Sequence, residues 1–169
     1  PNASSKINCK QLCHVYNKEF QVPVDILRIF NIYGPGQNAS FLIPKIIEGV
    51  FKGQLNLETL TPKRDFVYVH DVCNAFLQCL LIHSEDHTFN VYNIGSGNSY
   101  SVQQIIDKVI SFAALNPTIT CNEKKRAVEV EDVKADFSKI KREKKWHPSV
   151  SFDQGLKDMI EIYRKENGL

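Results

Sequence analysis

PVDILRIFNIYGPGQ, residues 23–37, holds a strand-to-loop transition that decides how the rest of the chain is read. Pro23–Asn31 is rich in Val, Ile and Leu with no regular polar alternation, the pattern of a strand buried on both faces of a parallel sheet. Tyr33–Gln37 (YGPGQ) is a loop by composition, punctuated by two glycines and a proline. A strand ending at Asn31 sets a carboxamide at its carboxyl end, where open parallel sheets receive their ligands. Such a side chain both donates and accepts hydrogen bonds, so it is able to orient a sugar or a phosphate. The plainer reading of Asn31 is a cap on the strand end. Gly34, Pro35 and Gly36 shape the turn.

Upstream, Ser4 and Ser5 offer N-cap hydroxyls, and apolar or small residues recur at Ile7, Cys9, Leu12, Cys13, Tyr16 and Phe20. That spacing predicts a helix with one buried face. A helix beginning at residue 4, with no preceding strand and no methionine, reads as a cut. Downstream, Phe41–Lys52 has helical periodicity stopped by Gly53. Short strands are expected at Leu55–Glu58, Asp65–Val69, Val91–Ile94 and, as an edge, Thr118–Thr120. Helices are expected at His70–His83 with Asp71 as cap, at Ser101–Ala113 with Ser101 as cap, and at Ser138–Lys144 and Phe152–Lys165. Strands and helices alternate, but the strands are too short and scattered for a full doubly wound sheet. The expected fold class is α/β: the last part of a Rossmann-type parallel sheet with a small α/β subdomain attached, and the cofactor domain incomplete.

The 169 residues favour about one domain with a real core. A net charge of +2 with 24% charged residues argues against a nucleic-acid binder. The densest basic run, KIKREKKWH at Lys139–His147, is interrupted by Glu143 and reads as a solvated helix face. Cys9, Cys13, Cys73, Cys79 and Cys121 contain no C-x-x-C pair, and four sit at apolar helix positions, so buried thiols in a reducing compartment are expected. No Cys/His cluster has metal-ligand spacing, and His83 and His87 straddle a helix end. No apolar run reaches transmembrane length and no signal peptide is visible, which points to a cytoplasmic protein.

Four stretches in order, LRIFNIYGPGQ (27–37), RDFVYVHDV (64–72), YNIGSGNSYSVQQII (92–106) and RAVEVEDVKADFSKIKREKKWHPSVSFDQGLKDMIEIYR (126–164), resemble the extended short-chain dehydrogenases, within them the NAD-dependent nucleotide-sugar epimerases and dehydratases. The resemblance covers nearly the whole chain. It implies that Asn31 contacts the nucleotide-sugar, that Ile29 and Phe30 line the nicotinamide, and that Arg64 grips the substrate diphosphate. A guanidinium fork suits that task better than an ammonium. Read alone, Arg64 is a surface charge or a partner for a nearby carboxylate such as Asp65. The resemblance also implies a basic then an acidic residue at Arg126 and Glu129, on phosphate and nucleotide ribose. Here the family's Pro-Gly between them is Ala127-Val128. Read alone, this pair is an exposed salt bridge. The glycine turn at Gly95–Gly97, His70 and Trp146 are taken as structural.

The same resemblance implies an NAD or NADP site built on an upstream glycine-rich turn that this sequence lacks, and a Tyr-x-x-x-Lys pair before the LR-x-F-N strand. The lysine is Lys6, which would hold the nicotinamide ribose and lower the tyrosine's pKa. Four positions before it stands Asn2, whose carboxamide does not titrate in this range. Truncation near the motif, a genuine departure, or loss of catalysis would each account for it, and truncation is favoured because the cofactor half is missing too. The expectation is therefore one C-terminal fragment, residues 1–169. Roughly 1–37 and 64–95 would belong to the Rossmann part and the rest to the substrate-binding subdomain. The intact parent would bind a nucleotide diphosphate-sugar, oxidise it to a keto-sugar, and act as epimerase, dehydratase, decarboxylase or reductase, often as a homodimer. The fragment alone would be inactive. A non-catalytic nucleotide-sugar-binding module is the rival reading. No metal, nucleic acid or membrane is expected.

Overall fold

The structure is a computed structural model that describes residues 2–82, 88–122 and 130–169, with the side chains of residues 2 and 3 left out. Arg126 and Glu129, His83 and His87, and the side chain of Asn2 lie outside the described residues. The elements run α1 (Asn2–Phe20), β1 (Val24–Ile29), β2 (Asn31–Tyr33), α2 (Leu42–Phe51), β3 (Gln54–Leu57), β4 (Lys63–Tyr68) and α3 (Val69–Leu81). They continue with β5 (Phe89–Ile94), β6 (Ser99–Ser101), α4 (Val102–Ala113), β7 (Thr118–Cys121), β8 (Asp132–Val133), α5 (Ser138–Lys144) and α6 (Phe152–Asn167).

The run expected as one strand over 23–31 is broken at Phe30. Residues Val24 to Ile29 pair in parallel with Phe89 to Ile94, and the Phe30 amide still donates to Ile94 O at 2.9 Å. From Asn31 the chain takes β4 instead, Asn31 lying opposite Phe66 and Tyr33 opposite Tyr68. Composition does not reveal this exchange of neighbours, since both pieces are equally apolar. It places residues 29–31 where the chain leaves one strand for another. β4 also pairs antiparallel with β6 and parallel with β8, so Arg64 faces Tyr100 on one side and Val133 on the other. β3 and β7 form a separate parallel pair.

Helix periodicity sets the larger core. In α2, Ile43, Ile46, Ile47 and Val50 are buried, and in α4 Val102, Ile105, Ile106 and Val109 are, the spacing of one helical face. They pack with Leu55, Phe66, Phe152 and Leu156. Ser101 caps α4 as expected, in a reciprocal box with Gln104. A second cluster gathers Val67, Val72, Tyr92, Ile94, Ile140 and Trp146. Trp146 is the packing anchor its sequence context implies, and its indole N–H donates to Asp71 O at 2.9 Å.

Several expectations are corrected. α1 begins at Asn2, so Ser4 and Ser5 lie inside the helix and do not cap it. Its apolar residues are not buried: Ile7, Leu12, Tyr16 and Phe20 are all more than half exposed. Periodicity marks a face for burial but does not supply what covers it. Asp71 does not cap α3, which has no side-chain cap. It is buried, and accepts hydrogen bonds from Ser149 N, Ser149 Oγ and Val150 N at 2.9, 2.6 and 3.1 Å, tying the approach to α6 onto α3. The basic run is not uniformly solvated. Lys144 is buried, its ammonium 2.8 Å from Asp25 and donating to Ile82 O at 2.6 Å. None of the five cysteines is fully buried, and Cys9 and Cys73 are exposed.

Candidate functional site

Four of the residues singled out in the sequence meet at one place. Lys6 projects from α1, and Ile29, Phe30 and Asn31 come from the end of β1 and the start of β2. All four line a cleft of about 1110 Å³. The first residues of the cleft wall, Ile26 to Ile29, are there because β1 is a buried strand, and Phe30 and Asn31 because the chain changes partners at that point. Lys10, Cys9 and Cys13 complete the α1 side.

Asn31 is anchored by one of its own donors, the Nδ2–H donating to Asp65 O at 2.8 Å. Its carboxamide oxygen is an acceptor on a residue that lines the cleft, a group able to orient a polar ligand. Arg64 does not line the cleft. It sits on the next strand, one residue from Asp65, and its guanidinium donates to Lys63 O at 2.8 Å and Val130 O at 2.7 Å. Val130 is the first described residue after Arg126 and Glu129 in the sequence. Beside Arg64's cross-strand neighbour Tyr100 lies a more polar hollow of about 460 Å³, lined by Asn98, Tyr100, Asp132 and Lys134 among others.

Asp65 explains why this corner holds together. It is fully buried and accepts from Ser96 N (2.7 Å), Ser96 Oγ (2.8 Å), Gly97 N (2.8 Å) and Ala135 N (2.9 Å). The pairing with Arg64 that its position suggests is therefore replaced by a backbone network. The glycine turn is structural, as expected, and its amides are already used. Gly95 has no room for a side chain, since an added Cβ would stand 2.4 Å from Ala135 Cβ. Gly97 takes a positive φ of 75° against Phe137.

Among the described residues no tyrosine lines the cleft. Burial pushes the Tyr33, Tyr68, Tyr92 and Tyr100 hydroxyls up, with the carboxylate of Asp158 adding to the effect at Tyr68 and that of Asp25 at Tyr92. His70 stacks edge-on against Tyr68 and stands apart from the cleft-lining residues. Among the described residues no group of three or more His, Cys, Asp or Glu could hold a metal, and no helix is long and apolar enough to cross a membrane.

Sequence reasoning passed over Gln37. It lines the cleft from the loop after β2; its Nε2 donates to Ile32 O at 2.8 Å, and its Oε1 is buried with no partner among the described residues. The only signal was an amide in a loop that follows the carboxyl end of a strand.

Parallel strand pairs flanked by helices, with a cleft where β1 ends, define an α/β fold of Rossmann type. The likeness to known proteins places the chain more closely. It belongs to the GDP-mannose 4,6 dehydratase family, which it matches over residues 1–159. It is 31% identical to dTDP-D-glucose 4,6-dehydratase of Bos taurus, an alignment covering 98% of this chain and 48% of that protein. GDP-6-deoxy-D-mannose reductase of Pseudomonas aeruginosa is 27% identical, over 95% of this chain and 54% of its own length. The fold superimposes on UDP-glucuronic acid 4-epimerase from Bacillus cereus, solved with UDP-glucuronic acid and NAD, with a TM-score of 0.85 at 27% identity over 96% of this chain and 52% of that one. The chain thus spans about half the length of the relatives it matches.

Proposed function

We propose that this chain forms the nucleotide-sugar-holding side of an NAD(P)-dependent epimerase or dehydratase. The observation that carries the proposal is the convergence of Lys6, Ile29, Phe30 and Asn31 on one cleft, with Arg64 on the adjoining strand. The residues fit a dinucleotide's nicotinamide end: Ile29 and Phe30 offer an apolar wall, and Lys6 an ammonium able to donate to ribose hydroxyls. NAD(P), when bound, supplies hydride acceptance from a sugar carbon, which gives a keto-sugar. Lys6 would hold the nicotinamide ribose. Asn31 accepts from and donates to the sugar, and Arg64 and Arg126 hold the diphosphate while Glu129 takes the nucleotide ribose.

Epimerisation, elimination, decarboxylation and reduction all proceed from such a holding site, and the residues on this chain do not distinguish among them. The 169 residues alone do not turn over substrate in this reading, because Asn2 stands where a proton-transferring tyrosine would be needed. That same Asn2 favours one second reading, a binding module without catalysis. The exposed apolar face of α1 supports self-association into a dimer.

Calorimetry with UDP-glucose tests the assignment. Arg64→Ala and Arg126→Ala should each weaken binding about tenfold or more, the scale of a lost charge-assisted hydrogen bond. Unchanged affinity in both variants removes the diphosphate assignment. Turnover of UDP-glucose by the chain with NAD added overturns the claim of inactivity.

A further inference from the structure

The side chains that line the cleft divide by charge along its length. Lys6, Lys10 and Arg28 line its body, and among the described residues no carboxylate does. Only residues 21–23 join α1 to β1, so the helix runs back along the strand. Lys10 stands one helical turn nearer that junction than Lys6. Arg28 lies three residues before Asn31 on extended chain, about 10 Å away. Beyond Asn31 the lining is Ile32, Gln37, Asn38 and Phe41, none of which carries a charge. Ile32 and Phe41 are 38% and 56% exposed, an apolar wall with no cover of its own. Asn38 is exposed too, and its Oδ1 accepts from Ser40 N at 2.9 Å, so its N–H groups are what it offers a ligand.

In the function proposed above, on which this inference rests, ligand order follows chain order. The nicotinamide meets Ile29 and Phe30 with Lys6 on its ribose, so the body cations fall on the cofactor's side. The diphosphate goes to Arg64 on the adjoining strand. A pyranose tied at its anomeric oxygen to that diphosphate, with its reacting carbon at the nicotinamide, turns its remaining edge and exocyclic carbon toward the loop. A methyl or hydroxymethyl group there meets Ile32 and Phe41, and a hydroxyl accepts from Asn38. A carboxylate in the same place meets no cation, and drawing a charge out of water without a partner is costly. We propose that Ile32, Asn38 and Phe41 make this end of the cleft selective for a nucleotide-linked hexose with an uncharged exocyclic carbon over the corresponding hexuronate. Asn38 and Phe41 set the specificity. Both are exposed and stand ahead of α2, so either side chain is replaceable without disturbing the core.

Nuclear magnetic resonance titration of the 169-residue chain compares UDP-glucose, UDP-glucuronate and UDP. UDP-glucose should shift the Phe41 ring and the Asn38 side-chain amide saturably, which UDP should not. It should bind about tenfold tighter than UDP-glucuronate, the scale of a charged group left short of its partner. Asn38→Arg should narrow that ratio about three- to fivefold, the scale of an exposed ion pair. Phe41→Ala should weaken UDP-glucose about fourfold, the scale of one buried methylene, and leave UDP unchanged. Equal or tighter binding of UDP-glucuronate, an unchanged ratio in Asn38→Arg, an unaffected Phe41→Ala variant, or no saturable shift at Phe41 and Asn38 would each overturn the proposal. Arg64→Ala separates the two readings. If it weakens both sugar nucleotides while their affinities are equal, the diphosphate assignment stands and only the selection by the loop falls.

Discussion

Replacing Asp65 by asparagine keeps the shape of the side chain and removes half of what it does. In the native arrangement Oδ1 accepts from Ser96 N and Ser96 Oγ, and Oδ2 accepts from Gly97 N and Ala135 N. An asparagine oxygen can serve only one of these pairs. Its NH₂ then does best facing Ser96, where the hydroxyl can turn to accept but the amide N–H is left opposed, in a site with no exposure to solvent. One orphaned donor at about 1–3 kcal/mol, with the charge assistance of the remaining bonds also lost, gives about 2–4 kcal/mol of destabilisation. That is a large share of the roughly 5–15 kcal/mol typical of a domain. Ser96→Ala, which removes one hydroxyl donor and leaves the three backbone bonds, should cost only about 1 kcal/mol. Urea denaturation gives both values, and hydrogen exchange at the Ser96, Gly97 and Ala135 amides reports the network directly. An Asp65→Asn variant within about 1 kcal/mol of the parent, with those amides still protected, would refute the reasoning.

Gly155→Ala should destabilise by about 1–3 kcal/mol in the same denaturation assay, because a Cβ there would lie 2.3 Å from the Tyr33 hydroxyl and 2.8 Å from Tyr68 Cδ2. Lys144→Met should cost about 3 kcal/mol by leaving Asp25 unpaired; adding Asp25→Asn should then cost little more, and simple additivity would count against a coupled pair. Burial raises the Tyr33 phenol above its usual value of 10.0. The folded chain therefore keeps a proton that the unfolded chain gives up, so stability present below about pH 10 falls as pH rises, by up to about 1.4 kcal/mol per pH unit for each such group. Tyr33→Phe should make the decline between about pH 10 and 11.5 measurably shallower, and an identical slope would exclude Tyr33 as a contributor.

Local chemistry was legible and long-range chemistry was not. Ser101 with Gln104 three residues on, the periodicity of α2 and α4, and the glycine stop after α2 are signals carried within a few residues, and each reappears in the structure. Asp65 and Asp71 were misjudged for a common reason. Each sits next to an obvious local role, beside an arginine or at a helix start, yet spends its oxygens on backbone 31 to 79 residues away. Lys144 was hidden in a basic run because its counter-charge lies on β1. At the candidate site, residue type and strand position singled out Asn31, while Ile29 and Phe30 came from the resemblance. Lys6 was placed by resemblance and then by the cleft. Gln37 was not legible, since nothing in a Gly-Pro-Gly turn indicates which side chain faces inward.

The glycine turn after β5 has a consequence for how such loops evolve. Its two amides converge as they would on a bound oxyanion, and the chain fills the position with a carboxylate of its own. A free anion arriving there competes with a tethered one, whose effective concentration no solute can match. Converting the turn into a working anion receptor thus takes a change at position 65 and not at the turn itself. The same change would unfasten Ala135, two residues after β8, from β4. The joint is stable because its ligand is encoded in the sequence, and it is closed to new chemistry for the same reason.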